Sequence, residues 1–356
     1  MSGPLAGLTV LELAGIGPAP LACTLLADLG AHVLRVDRPG AAEAGMDQLG
    51  HGRPHVALDL RSGAGVAALL ALVDTADVLV EGNRPGVTER LGVGPDACRA
   101  RNPRLIYARM TGWGQDGPLA QRAGHDINYL SMTGALHAVG ERDRKPVAPL
   151  NLVADFGGGT MFLLVGILAA LQARATTGEG QVVDAAMVDG AAYLMTMPYR
   201  YLAVGAWTDE RGVNLLDGGM PYYDTYPCAD GRHVAVGAIE PQFFAALLTG
   251  LGLPPEWRAL QNDAGRREEL RALIAAAFVT RTRDAWAEHF AGTDACVTPV
   301  LGMTEAPAGE HLAARGTFET FAGATVAAPA PRFSETPARR GGGADRATLA
   351  AFGLVD

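Results

Sequence analysis

Three short segments of this 356-residue chain set ionisable side chains among glycine or apolar neighbours. Ala123-Gly124-His125-Asp126-Ile127-Asn128-Tyr129 carries an imidazole. Asn151-Leu152-Val153-Ala154-Asp155-Phe156-Gly157-Gly158-Gly159 carries a carboxyl just before an apolar helix. Val236-Gly237-Ala238-Ile239-Glu240-Pro241-Gln242 carries another, at a strand end that opens a helix. Imidazole and carboxyl groups are the usual carriers of protons in general acid–base chemistry. At a helix start they stand beside N–H groups that favour negative charge. Each also has a plain structural use: His125 fits a core histidine, and Asp155 and Glu240 fit helix N-caps.

A second signal is arginine. Between Arg35 and Arg109 there are ten Arg, nine Asp plus Glu and no Lys, within a chain of net charge −9. Arg38 follows a strand end, and Arg84 lies in the Glu81-Gly82-Asn83-Arg84-Pro85-Gly86 loop after another. With Arg61 and Arg90 they form a group suited to bidentate phosphate binding and adenine stacking, although any one alone reads as a solvated charge. Gly15-Ile16-Gly17-Pro18-Ala19-Pro20 sits where a dinucleotide fingerprint would sit, with Asp37 as a candidate ribose acid. Pro20 occupies the place of the third glycine, which argues against NAD.

The elements that must position these residues alternate between strand and helix. Leu8 to Leu13 is a short apolar strand; a helix over Pro18 to Leu29 has Pro in its first turn and Gly30 as its stop. His32 to Val36, Val56 to Leu60, Val78 to Val80 and Leu105 to Ala108 continue the strands, with a helix from about Gly65 to Val73. Repeated βαβ units imply an α/β fold with a parallel sheet, and ligands beyond the carboxyl ends of its strands. After Gly190 the composition changes. A polar, glycine-dotted connection leads to a smaller unit with strands at Tyr222 to Pro227 and His233 to Val236. Helices fit Gln242 to Leu251, Arg267 to Phe278 and Arg283 to Phe290. From Ala306 the chain is rich in Ala, Pro and Gly, including Gly341-Gly342-Gly343, and reads as an extended return segment.

Composition narrows the function. Hydrophobic residues make up 49% and charged residues 19%, the balance of a globular protein with ample core material. The acidic net charge argues against broad nucleic-acid binding. Cys23, Cys98, Cys228 and Cys296 form no CxxC pair, so no zinc or redox motif is expected, and reduced thiols suit a cytoplasmic location. The N-terminus has no basic n-region, and the apolar run Met161 to Leu171 is short of the roughly 18 residues of a membrane span.

The motifs together resemble the family III CoA-transferase superfamily, and within it the α-methylacyl-CoA racemase branch. The resemblance runs from Gly7 to about Pro299. Its marks are Val10-Leu11-Glu12-Leu13 with Gly17-Pro18, Ala31 to Asp37, Val56 to Leu60, and Tyr107-Ala108-Arg109-Met110-Thr111-Gly112-Trp113-Gly114-Gln115. The His125 segment, Asp155 to Gly159, Gly178 to Asp189 and Ala238 to Gln242 complete the series in one order. The His125 segment favours racemase over transferase.

The resemblance implies a large Rossmann-like parallel-sheet domain over 1–190, joined again by 330–356, and a smaller α+β domain over 222–305. Segments 191–221 and 306–329 would be linkers. It implies an interlocked homodimer and an acyl-CoA substrate, with no separate cofactor, metal, nucleic acid or membrane. Arg38, Ala57, Asp59, Arg61, Arg84, Arg90 and Met110 match coenzyme A contacts. His125 and Asp155 match the two bases that remove and return the proton at C2 of a 2-methylacyl thioester, and Glu240 pairs with His125. Backbone N–H groups at the helix start near Asp126 would hold the enolate oxygen. The rival reading is a transferase in which Asp155 is the acyl-accepting nucleophile; only His125 separates the two.

Overall fold

The computed structural model describes residues 3–40, 49, 53–340 and 346–355. The Gly341–Gly343 run lies outside them. The chain divides into two compact units: 1–135, 148–196 and 327–356 form the first, and 136–147 with 197–326 form the second.

The first unit is built on β1 (Thr9–Leu13), α1 (Pro18–Asp28), β2 (His32–Asp37), β3 (His55–Ala57), α2 (Gly63–Val73), β4 (Val78–Glu81), α3 (Val87–Arg90), α4 (Pro95–Arg101) and β5 (Ile106–Thr111). It continues with α5 (Asp126–Met132), α6 (Ala135–Ala138, crossing the unit boundary), a π-helical turn over Leu152–Thr160, α7 (Met161–Thr177), β6 (Val182–Ala186) and α8 (Met187–Leu194). The strands form one sheet in the order β3-β2-β1-β4-β5-β6, and every neighbouring pair is parallel. Alternate side chains serve opposite layers, as the period of a strand dictates. Leu11, Leu13, Leu34, Val36, Leu79 and Tyr107 pack with Leu69, Leu72 and Val73 of α2 and Cys98 of α4. The other face is covered by α1 and α7. Each fully buried Leu or Val stabilises the layer by roughly 1.5–3 kcal/mol.

The stretch Leu152–Thr177 forms 26 continuous helical residues, long and apolar enough by length and composition to cross a membrane. The shorter run counted from sequence missed this, because the π-helical turn extends α7 at its N-terminus. Leu163, Leu164, Ile167 and Ala170 are buried, and α7 packs on β5 and β6, the position of a core helix in an α/β layer.

The second unit contains α9 (Thr196–Ala203, entering from the first), β7 (Tyr223–Pro227), β8 (His233–Gly237), α10 (Pro241–Leu251), α11 (Arg267–Phe278), α12 (Arg283–Phe290), β9 (Val297–Pro299), α13 (Glu310–Ala314), β10 (Phe318–Phe321) and β11 (Ala324–Ala327). β7, β8 and β9 form an antiparallel sheet, with Phe244, Leu247, Ile274, Phe278 and Trp286 in its core. Two features differ from the sequence reading. Segment 136–147 belongs to this unit: Arg211 of the connection donates to the carbonyls of His137 and Arg144 at 2.8 Å each. The segment expected to be a linker carries α13 and the β10–β11 pair. Finally α14 (Arg346–Ala351) returns to the first unit, packs against β2 and adds Phe352 to the core.

Candidate active site

Asp155 stands inside the π-helical turn, not at a helix N-cap, which corrects the structural alternative for that residue; Asn151 holds the cap position. The three following glycines allow the turn. A Cβ on Gly158 would lie 2.6 Å from the Ala191 nitrogen, and one on Gly190 would lie 1.9 Å from the Gly158 oxygen. The turn and α8 therefore meet backbone to backbone, where any side chain would part them. Thr160 Oγ1 donates to the Pro18 carbonyl at 2.9 Å, tying the end of the turn to α1. Wide helical turns of this type recur at functional sites.

The Asp155 carboxyl is half-buried, and burial raises its pKa above the usual carboxylate range. The Asp126 carboxylate adds to the rise, while a hydrogen bond from Asn151 and the charge of His125 oppose it. Asp155 thus lies within electrostatic reach of both His125 and Asp126.

His125 is exposed at the position preceding α5, where its N–H donates to Asn128 Oδ1 at 3.1 Å. Asp126 is 5% exposed. Its Oδ2 accepts two backbone N–H groups from the turn, those of Ala154 and Asp155, at 2.8 Å each. Its Oδ1 is buried with no hydrogen-bond donor. The sequence reading gave Asp126 only a backbone part; the structure adds this side-chain clamp. Tyr129 braces the same junction. Its hydroxyl donates to the Gly124 carbonyl at 2.6 Å and its ring meets Trp113 edge-on, with centroids 4.8 Å apart.

The site lies at the switch point of the sheet. The strand order reverses between β1 and β4, and ligands of such sheets bind in the crevice this opens. Gly17, in the turn after β1, has φ +72, and a Cβ there would stand 3.8 Å from Asp155 Oδ2. Burial raises the pKa of the Tyr129 phenol, the Asp155 and Asp126 carboxylates add to the rise, and the Arg84 guanidinium, from the loop after β4, opposes it.

Arg38, Ala57, Asp59, Arg61, Arg84 and Arg90 are all exposed, on the segments at and beyond the carboxyl ends of β2, β3 and β4. Asp59 Oδ1 accepts the Arg61 N–H at 3.0 Å, fixing that turn. Met110 departs from the group. It is 2% exposed within β5, so its side chain is core packing, and only its backbone approaches the loop surface, with its carbonyl 3.8 Å from where a Cβ on Gly82 would stand.

Glu240 belongs to the second unit, exposed at the N-cap of α10. Gly237 and Cys296 nearby line an open cavity of about 1220 Å³ in that unit. Burial raises the Cys296 thiol pKa, and the Glu240 carboxylate adds to it. Among the described residues no group of His, Cys, Asp and Glu is arranged to hold a metal ion.

Sequence reasoning missed Asn151, Tyr129 and Trp113 as parts of the site. The available signal was the presence of Tyr129 and Asn151 in the segments around His125 and Asp155, and of Trp113 between Gly112 and Gly114.

A parallel sheet of Rossmann order, with an imidazole and a carboxyl near its switch point, defines an α/β protein equipped for proton or acyl transfer. Residues 5–344 match CoA-transferase family III, and the chain belongs to that family. It is 45% identical to the alpha-methylacyl-CoA racemase of Homo sapiens over 335 residues, 94% of this chain and 87% of the relative. It is 46% identical to that of Mus musculus over the same shares. The crystal structure of a CAIB/BAIF family protein from Brucella suis superposes with a TM-score of 0.82 at 28% identity, covering 96% of each chain.

Proposed function

We propose that this protein is a racemase that inverts C2 of 2-methylacyl-CoA thioesters. In one direction the Asp155 carboxylate takes the C2 proton, the electron pair passes into an enolate, and the His125 imidazolium returns a proton to the opposite face. The reverse direction uses neutral His125 and protonated Asp155. Backbone N–H groups at the start of α5, beside Asp126, hold the enolate oxygen. The observation that carries this reading is the junction at which Asp126 ties the start of α5 to the turn bearing a half-buried Asp155 of raised pKa, immediately after His125. The identity to racemases over nearly the whole chain supports it.

The proposal includes Glu240 as the carboxylate that orients and charges His125, reaching it from a second copy in an interlocked homodimer. Arg38, Ala57, Asp59, Arg61, Arg84 and Arg90 bind the coenzyme A nucleotide. Coenzyme A is part of the substrate; no separate cofactor or metal takes part, and the setting is cytoplasmic fatty-acyl metabolism.

The second reading is acyl transfer with Asp155 as nucleophile, which the same carboxylate permits. The test uses one enantiomer of a 2-methylacyl-CoA in deuterated water without an acceptor acid. Deuterium at C2 with loss of optical purity supports the racemase. Inertness until a free carboxylic acid is added would establish the transferase instead.

A further inference from the structure

Arg109 of β5 is 6% exposed and lies opposite Glu81 of β4 in the sheet. Its Nε donates to Glu81 Oε1 at 2.9 Å, and its Nη1 and Nη2 donate to the two oxygens of Glu89 in α3 at 2.8 and 3.4 Å. The other Glu81 oxygen accepts the Asn83 N–H at 2.6 Å. One guanidinium therefore fixes, directly or through Glu81, the residue before Arg84 and the residue before Arg90. The acid–base chemistry of the site uses none of these groups. The loop is further braced where Gln121 Nε2 donates to the Pro85 carbonyl at 3.1 Å. Gly86 has φ +80, and a Cβ on it would lie 3.0 Å from Arg90 Nη1, so the exposed Arg90 guanidinium folds back against the turn.

We propose that Arg109 is a positioning residue that holds the 82–90 segment so that Arg84 and Arg90 present a preformed grip to the phosphates of coenzyme A. It touches no substrate. The inference rests on the nucleotide-binding reading given above. A planar guanidinium is required because three donors must reach two carboxylates at fixed angles, which an ammonium cannot do. Ordering two long arginines in advance removes an entropic cost that binding would otherwise bear.

The test compares Arg109→Lys and Glu89→Gln with the unaltered full-length protein. C2 exchange is measured on a 2-methylacyl-CoA and on the same acyl group carried by pantetheine, which lacks the nucleotide. Each substitution should raise KM for the CoA thioester roughly tenfold, the worth of about one charge-assisted hydrogen bond, with kcat little changed. KM for the pantetheine thioester should not move. An equal loss on both thioesters, or no change on either, would overturn the proposal. If Arg109→Lys does not fold, Glu89→Gln decides, because it disturbs the exposed end of the network. An unaltered protein that shows no preference for the CoA thioester would overturn the nucleotide reading beneath it, an outcome visible without any substitution.

Discussion

The Asp126 Oδ2 atom accepts the backbone N–H of Asp155 at 2.8 Å. The residue next to His125 in sequence thus fixes the backbone of the candidate acid 29 residues away. Burial raises the Asp155 pKa and the Asp126 carboxylate adds to the rise, so one side chain both places the partner base and contributes to its basicity.

Asp126→Asn should separate these effects. The amide oxygen can still accept from the turn, at a cost of about 1–3 kcal/mol in stability, but the negative charge is gone. The Asp155 pKa then falls. As a base Asp155 must be ionised, so the acidic limb of the kcat/KM profile should move to lower pH. A pH–rate profile of C2 exchange checks the shift, and thermal unfolding checks the cost.

Gly158→Ala should destabilise the protein by about 1–3 kcal/mol, because the new methyl must push α8 away from the turn carrying Asp155. Exchange activity should fall with it. Gly63→Ala, at the first position of α2 with nothing within 4 Å, should leave stability unchanged or slightly higher. Denaturant unfolding of the two variants gives the comparison.

How legible was all this in the sequence? Strands β1, β2, β4 and β5 were, because short apolar runs bounded by glycine and proline suit a buried parallel sheet, and α1 announced itself through Pro18 and Gly30. β3 is an edge strand at His55–Ala57 with its ends exposed, where Val56 to Leu60 was expected, and β6, with Val182 and Asp184 exposed, was not read as a strand. The π-helical turn was not. Gly157-Gly158-Gly159 reads only as the glycine-rich approach to an apolar helix, whereas Gly158 is a contact point for Gly190, whose approach depends on the tertiary packing of α8. The β10–β11 pair hid in an Ala- and Pro-rich stretch. Its signal was Phe-Glu-Thr-Phe before Ala322-Gly323, two residues at φ +50 and +79 that suit a tight two-residue reversal. Met110 matched a motif by position, but strand alternation does not reveal that both faces of a central strand are covered.

Glu12, on the central strand β1, is paired with Arg53 at 2.9 Å, and both side chains are fully buried. Burial raises the Glu12 pKa from 4.5 to about 7, against the opposing charges of Arg53 and Arg35. A raised pKa means that the folded state holds the proton more tightly than the unfolded chain. The contribution is fully present below about pH 4.5 and is lost as pH rises through about 7. Glu12→Gln should flatten the fall in Tm across that window. Melting curves at pH 5 and pH 8 measure it.

The most direct measurement follows each enantiomer of a 2-methylacyl-CoA in deuterated water with Asp155→Asn and with His125→Ala. Two bases on opposite faces predict that neither variant racemises. Each variant should still exchange the C2 proton of one enantiomer without inverting it, and the enantiomer retained should be opposite in the two. Racemisation surviving in either variant, or the same enantiomer exchanging in both, would contradict the account.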